Sequence, residues 1–68
     1  MKKAPLNAKA IKKHRIAKGL TVIELAKKVK RTRTSIYSYE EGSQMPSPKT
    51  LVKIAKVLEV NPKELIGD

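Results

Sequence analysis

The sequence has no cysteine, no phenylalanine and no tryptophan, and only two tyrosines in 68 residues. Without cysteine there is neither a disulfide framework nor a cysteine-based zinc site. Without Trp or Phe, a membrane-surface helix would lack the side chains that anchor its apolar face. Two tyrosines are also too few for the stacking platforms of RNA readers. No apolar run approaches the roughly 18–20 residues of a membrane span. The opening MKKAPLNAKA carries lysines with no apolar stretch behind them, so it does not read as a signal peptide. These absences lead us to expect a soluble cytoplasmic protein, at the nucleoid if the host is bacterial, with no membrane contact.

Acidic residues are scarce too. Six Asp plus Glu stand against sixteen Lys plus Arg, a net charge of +10 and a pI near 10.2. A surface that positive attracts polyanions, and nucleic acid is the expected partner. The chain holds one domain, and at this size it buries only about 60% of its unfolded surface, which leaves little room for an enclosed active site. Chemistry-bearing clusters are missing as well. His14 is the single histidine and has no acid beside it in sequence, so it reads as a partly exposed helix residue. Glu40 and Glu41 are adjacent in a helical stretch and point about 100° apart, so they converge on nothing. There is no nucleophile–base pair and no Gly-rich phosphate loop. We expect no enzyme, no metal and no cofactor.

What remains is helix punctuation. Asn7 can cap a first helix reaching about Lys18, with Gly19 as its stop. Thr21 and Glu24 form a capping box for a second helix whose apolar members are Ile23, Leu25, Ala26 and Val29. Thr32 can cap a third helix reaching about Glu40, ended by Gly42. Ser47-Pro48 pairs a capping serine with proline at the first helical position. Leu51, Ile54, Ala55 and Leu58 then follow the i, i+3, i+4, i+7 stripe of one buried face. Asn61 and Glu64 repeat the box for a last short helix ending in Leu65-Ile66. The expected architecture is all-α: a loose basic tail over residues 1–7 and one five-helix domain over 8–68.

The turn between the second and third helices spans only Lys30 to Thr32, so the two must cross steeply. Ala26 is small where they touch, while Val29, Ile36 and Tyr39 are apolar where they face the core. Such a pair is a helix-turn-helix, whose second helix lies in the major groove of DNA. The third helix keeps Arg33, Thr34, Tyr37 and Ser38 on its outer face. A hydrated helix with no partner explains Ser and Thr, but not the five cations between Lys27 and Arg33.

The stretch "GLTVIELAKKVKRTRTSIYSYEEGSQMPSPKTLVKIAKVLEV" resembles the phage repressor and Cro class of helix-turn-helix proteins, the Xre family. The resemblance covers about residues 8 to 66. It rests on the Gly-Leu-Thr turn into the second helix, Glu24-Leu25-Ala26, Ile36 with Glu40 and Gly42, the Pro-Ser before the fourth helix, and "TLVKIAKVL". It implies a five-helix domain that binds double-stranded DNA, usually as a homodimer on a palindromic operator. The family's base-reading positions fall on Arg33, Thr34 and Ser38, with Tyr37 at an outward position that varies. Backbone contacts fall on Thr32, Ser43 and Gln44, joined here by the cations Lys30 and Arg31. Arg15 and Glu40 match an ion pair that locks the recognition helix to the first helix. The self-contact falls on Val60, Pro62 and Leu65.

Chemistry independently supports base reading by Arg33, whose guanidinium can bridge O6 and N7 of guanine; contact with phosphate alone is the plainer alternative. Three positions depart from the family pattern. Val22 stands where a phosphate-contacting Gln is common. Lys30 stands where Gly usually takes a left-handed backbone, at a cost on the order of 1 kcal/mol. Arg31 replaces an apolar residue, and its stem can cover apolar surface while its head reaches a phosphate. The leading expectation is a transcriptional regulator, most simply a repressor, controlled by its own concentration, by competition for sites or by a protein partner. The alternative is an antitoxin-like or bridging module that uses the same fold to hold another protein.

Overall fold

In the computed structural model, which describes residues 8–66, the order is α1 (Ala8–Ala17), α2 (Val22–Val29), α3 (Arg33–Glu41), α4 (Pro48–Leu58) and a 3-10 turn (Pro62–Leu65). The architecture is all-α, with no strand among the described residues. The expected tail, residues 1–7, and the expected Asn7 cap lie outside those residues.

α2, α3 and α4 each start at a side chain that local chemistry selects. Glu24 N–H donates to Thr21 Oγ1 at 3.1 Å and Thr21 N–H to Glu24 Oε1 at 2.8 Å, a complete capping box for α2. Thr32 Oγ1 accepts from Ser35 N–H at 3.1 Å to open α3, and Ser47 Oγ accepts from Thr50 N–H at 3.2 Å to open α4. These caps satisfy amide donors that a helix start leaves without partners.

All four helices end the same way. A left-handed residue follows each helix end, directly in α2, α3 and α4 and one residue later, at Gly19, in α1, and its successor's N–H reaches a carbonyl five residues earlier. The bonds are Leu20 to Arg15, Arg31 to Ala26, Ser43 to Ser38 and Val60 to Ala55, between 2.9 and 3.1 Å. The motif needs a left-handed residue. Gly19 and Gly42 supply it without strain at φ 75° and 82°, whereas Lys30 and Glu59 adopt it at φ 57° and 60° with a Cβ in place.

The fifth helix expected from the sequence is instead the 3-10 turn. Only four residues follow the Asn61 cap before the backbone extends at Ile66. One turn cannot propagate an i to i−4 ladder, so it tightens into the i to i−3 form. Glu64 N–H donates to Asn61 O at 2.8 Å and Ile66 N–H to Lys63 O at 3.2 Å. The turn drives Leu65 into the core, where it is fully buried.

The core is built from Ile11 of α1, Leu25, Ala26 and Val29 of α2, Ile36 and Tyr39 of α3, and Ile54, Ala55 and Leu58 of α4, closed by Leu65. Leu51 lies partly buried at its margin. Ile23 does not join it and stays half exposed. At about 100° per residue Ile23 falls roughly 120° around α2 from the middle of the Leu25, Ala26 and Val29 face, while Val22 falls within it. Val22 accordingly packs against the core where Ile23 was expected.

Candidate nucleic-acid interface

α3 projects from this frame with its two faces sharply divided. Ile36 and Tyr39 are buried, Arg33, Thr34 and Tyr37 are exposed, and Ser38 is partly covered. Its first turn carries no acid, so no carboxylate there opposes Arg33 or an approaching anion. The amide-rich start of a helix favours negative charge for the same reason.

The far end of α3 is tied down. Arg15 Nε donates to Glu40 Oε2 at 2.6 Å and Arg15 Nη2 to Glu40 Oε1 at 3.2 Å, a two-pronged pair between side chains only 10% and 7% exposed. Arg15 Nη1 also donates to Leu20 O at 2.9 Å, so one guanidinium joins α1, the turn after it and α3. A buried pair with its donors used this way holds orientation as well as charge.

The turn Lys30 to Thr32 is exposed throughout. Lys30 holds the left-handed backbone that ends α2. Arg31 has one guanidinium nitrogen on the buried Thr50, Nη2 to Oγ1 at 3.1 Å, which pins the turn to the start of α4. The sequence offered no sign of Thr50 as that partner, because the two lie nineteen residues apart. Ser43 and Gln44 are exposed beyond Gly42, and both backbone amides turn in to Ser38 O, at 3.1 and 3.3 Å. Ser43 Oγ–H also turns in to Ser38 O at 3.4 Å, which leaves the exposed Gln44 side chain as the outward group of the two.

One expected placement changes. Leu65 is buried and has no surface to offer a second copy, because the 3-10 turn commits it to the core. Val60 and Pro62 are partly covered, and Ile66 beside them is exposed. Lys28 lines a groove of about 500 Å³ with Lys18, Leu20, Val57 and Glu59, which shares only Leu20 with the groove that Arg33 and Tyr37 line. Of the cation cluster Lys27 to Arg33, Lys28 lines one groove and Arg33 the other.

The acids are largely occupied by neighbours. Lys18 Nζ donates to Glu59 Oε1 at 2.5 Å, and this bond with its charge holds the Glu59 carboxyl below its usual range. His14 Nε2 lies 3.7 Å from Glu64 Oε1. No cluster of three or more potential metal ligands occurs among the described residues, and no helix among them is long and apolar enough to cross a membrane.

Comparison with known proteins agrees with this geometry. A helix-turn-helix family model matches residues 11–65. No curated protein matches the chain by sequence. Among solved structures, the restriction-modification controller protein C.AhdI from Aeromonas hydrophila is 28% identical over 84% of this chain and 86% of its own, with a TM-score of 0.79. SinR, a master regulator for biofilm formation solved in complex with DNA, is 34% identical over 81% and 89%, with a TM-score of 0.75. The restriction-modification controller protein C.Esp1396I is 41% identical over 79% and 70%, with a TM-score of 0.72. The chain belongs to the helix-turn-helix family in its Xre-type branch, an all-α DNA-binding regulator of transcription.

Proposed function

We propose that this protein is a sequence-specific repressor that binds double-stranded DNA with α3 in the major groove. Arg33, Thr34, Tyr37 and Ser38 read base edges. Lys30, Arg31, Thr32, Ser43 and Gln44 grip the sugar–phosphate backbone on either side. The observation that carries this reading is the division of α3. Its outer face presents Arg33, Thr34 and Tyr37 with no acid in the first turn. Its inner face is locked by Ile36, Tyr39 and the Glu40–Arg15 pair. A helix held that rigidly can present side chains to a groove in one register. SinR, solved with DNA at 34% identity, supports the same partner for this chain.

One recognition helix covers only a few base pairs, so the functional unit is a homodimer on a palindromic operator, with half-site centres about one helical turn apart. Val60 and Pro62, with the exposed Ile66 beside them, supply the self-contact. That patch is small, so the dimer is weak in solution and strengthened on DNA. The protein works without catalysis, in the cytoplasm. A regulatory protein partner is a further means of control, since SinR has been solved in a complex with SinI.

Selection of bound DNA from random duplexes, followed by sedimentation of the complex, tests this reading. The expected result is a palindrome carrying two chains per site. A stable complex of one chain on a non-palindromic site would overturn the dimer, and recovery of no sequence preference would overturn the sequence-specific reading.

A further inference from the structure

The sequence pattern assigned Ile23 to the core, yet it is 48% exposed, and two other large apolar side chains near it, Ile16 and Tyr37, are 57% and 50% exposed. The three lie along one groove of about 430 Å³, together with Val22 and Arg33. Gathered around one concavity beside Arg33, these half-exposed side chains give the groove an apolar wall next to a cation assigned to base reading. Arg33 and Tyr37 are four residues apart on α3 and therefore stack on one helix face. The groove is thus continuous with the α3 face assigned to base edges.

The start of α2 is held firmly beside it. The Thr21–Glu24 capping box fixes the first turn that carries Val22 and Ile23. Where a polar side chain at that turn would seek a phosphate, Val22 and Ile23 offer only methyl groups. Methyl groups recognise methyl groups. The single apolar substituent that duplex DNA presents in its major groove is the 5-methyl of thymine.

We propose that Ile23 and Tyr37 form an apolar seat for a thymine 5-methyl group, next to the base pair that Arg33 meets, with Ile16 closing the rear of the groove. This rests on the reading of α3 as the base-reading helix. It adds a specificity determinant outside that helix, because Ile23 belongs to α2. Arg33 supplies the polar half of the recognition and the α2–α3 groove supplies the apolar half. The preferred operator then carries a thymine adjacent to the Arg33 base pair in each half-site.

Replacing single thymines of the selected duplex by deoxyuridine removes the methyl and leaves every base-pair hydrogen bond intact. One such replacement per half-site should weaken binding about fourfold for each methyl removed. In Ile23→Ala and Tyr37→Ala that position should become indifferent to deoxyuridine, while a change at the Arg33 base pair still weakens binding. Both side chains are half exposed, so both variants keep the fold, and an unchanged melting curve verifies this. A selected site without thymine there, full tolerance of deoxyuridine by the unaltered protein, or an undiminished penalty in Ile23→Ala would each overturn the seat while leaving DNA recognition by α3 standing. Failure to bind any duplex would overturn both.

Discussion

Arg15 and Glu40 face each other across the interior of this small domain, Nε to Oε2 at 2.6 Å, with both side chains at least nine-tenths covered. The pair connects α1 to the end of α3, twenty-five residues away in sequence. Removing either partner leaves the other charge in a low-dielectric site. Arg15→Ala and Glu40→Ala should each lower stability by about 3–5 kcal/mol, read from urea melts. Replacing both together by apolar residues should recover much of that loss. Two near-neutral single variants would contradict the buried geometry.

Lys30 carries a strain that Gly19 and Gly42 avoid. At φ 57° and ψ 48° its Cβ crowds the backbone. Lys30→Gly should raise stability by about 1 kcal/mol in thermal or urea melts, while Lys30→Ala, which keeps the Cβ, should change little. A destabilised Lys30→Gly would show that the left-handed cap is not the conformation in solution.

Charge at the interface sets the salt dependence. If the proposed homodimer meets about six to eight phosphates, log K against log salt should fall with a slope of roughly −5 to −7. Lys30→Ala should weaken all sequences alike and make the slope shallower by about one for each phosphate no longer neutralised. Lys28→Ala should leave it nearly unchanged, because Lys28 sits in the groove with Lys18 and Glu59. A slope shallower than about −2 for the unaltered protein would place the positive charge away from the DNA.

Glu59 titrates below its ordinary value because Lys18 bonds to it and sets a positive charge beside it. A lowered folded-state pKa stabilises the fold above the unfolded-state value and loses that contribution as pH falls through the folded one. The effect sits on the acid side, from the ordinary carboxylate range downward. In an NMR titration, Lys18→Ala should move the Glu59 midpoint up toward the ordinary value. An unmoved midpoint would mean the two side chains do not pair in solution.

The helix starts were legible in the sequence because capping is local chemistry: Thr21 with Glu24, Thr32 and Ser47 each act within three residues. Gly19 and Gly42 marked ends for the same reason. Glu59 did not, since nothing in its side chain favours a left-handed backbone, although Val60 after it packs against the core. The 100° spacing of Leu25, Ala26 and Val29 already favours Val22 over Ile23 for the core, so this choice was legible in the periodicity and the expected membership of Ile23 overlooked it. Leu65 was assigned to a surface by resemblance, but burial of its side chain outweighed that in a core with so few large residues. The orientation of Lys28 depended on where the end of α4 lies, which no neighbour in sequence reveals.

In the proposed function α3 reads bases and does not merely attract phosphate. The direct measurement compares the affinity of the unaltered protein and of Arg33→Ala for the selected duplex and for a panel of its single-base variants. A bidentate contact with guanine discriminates by about 1–3 kcal/mol. Arg33→Ala should therefore flatten the preference at one base pair in each half-site and leave the preferences elsewhere as they were. If Arg33→Ala instead lowers every affinity in the panel by the same factor, Arg33 is a phosphate anchor and the base-reading account of α3 is contradicted.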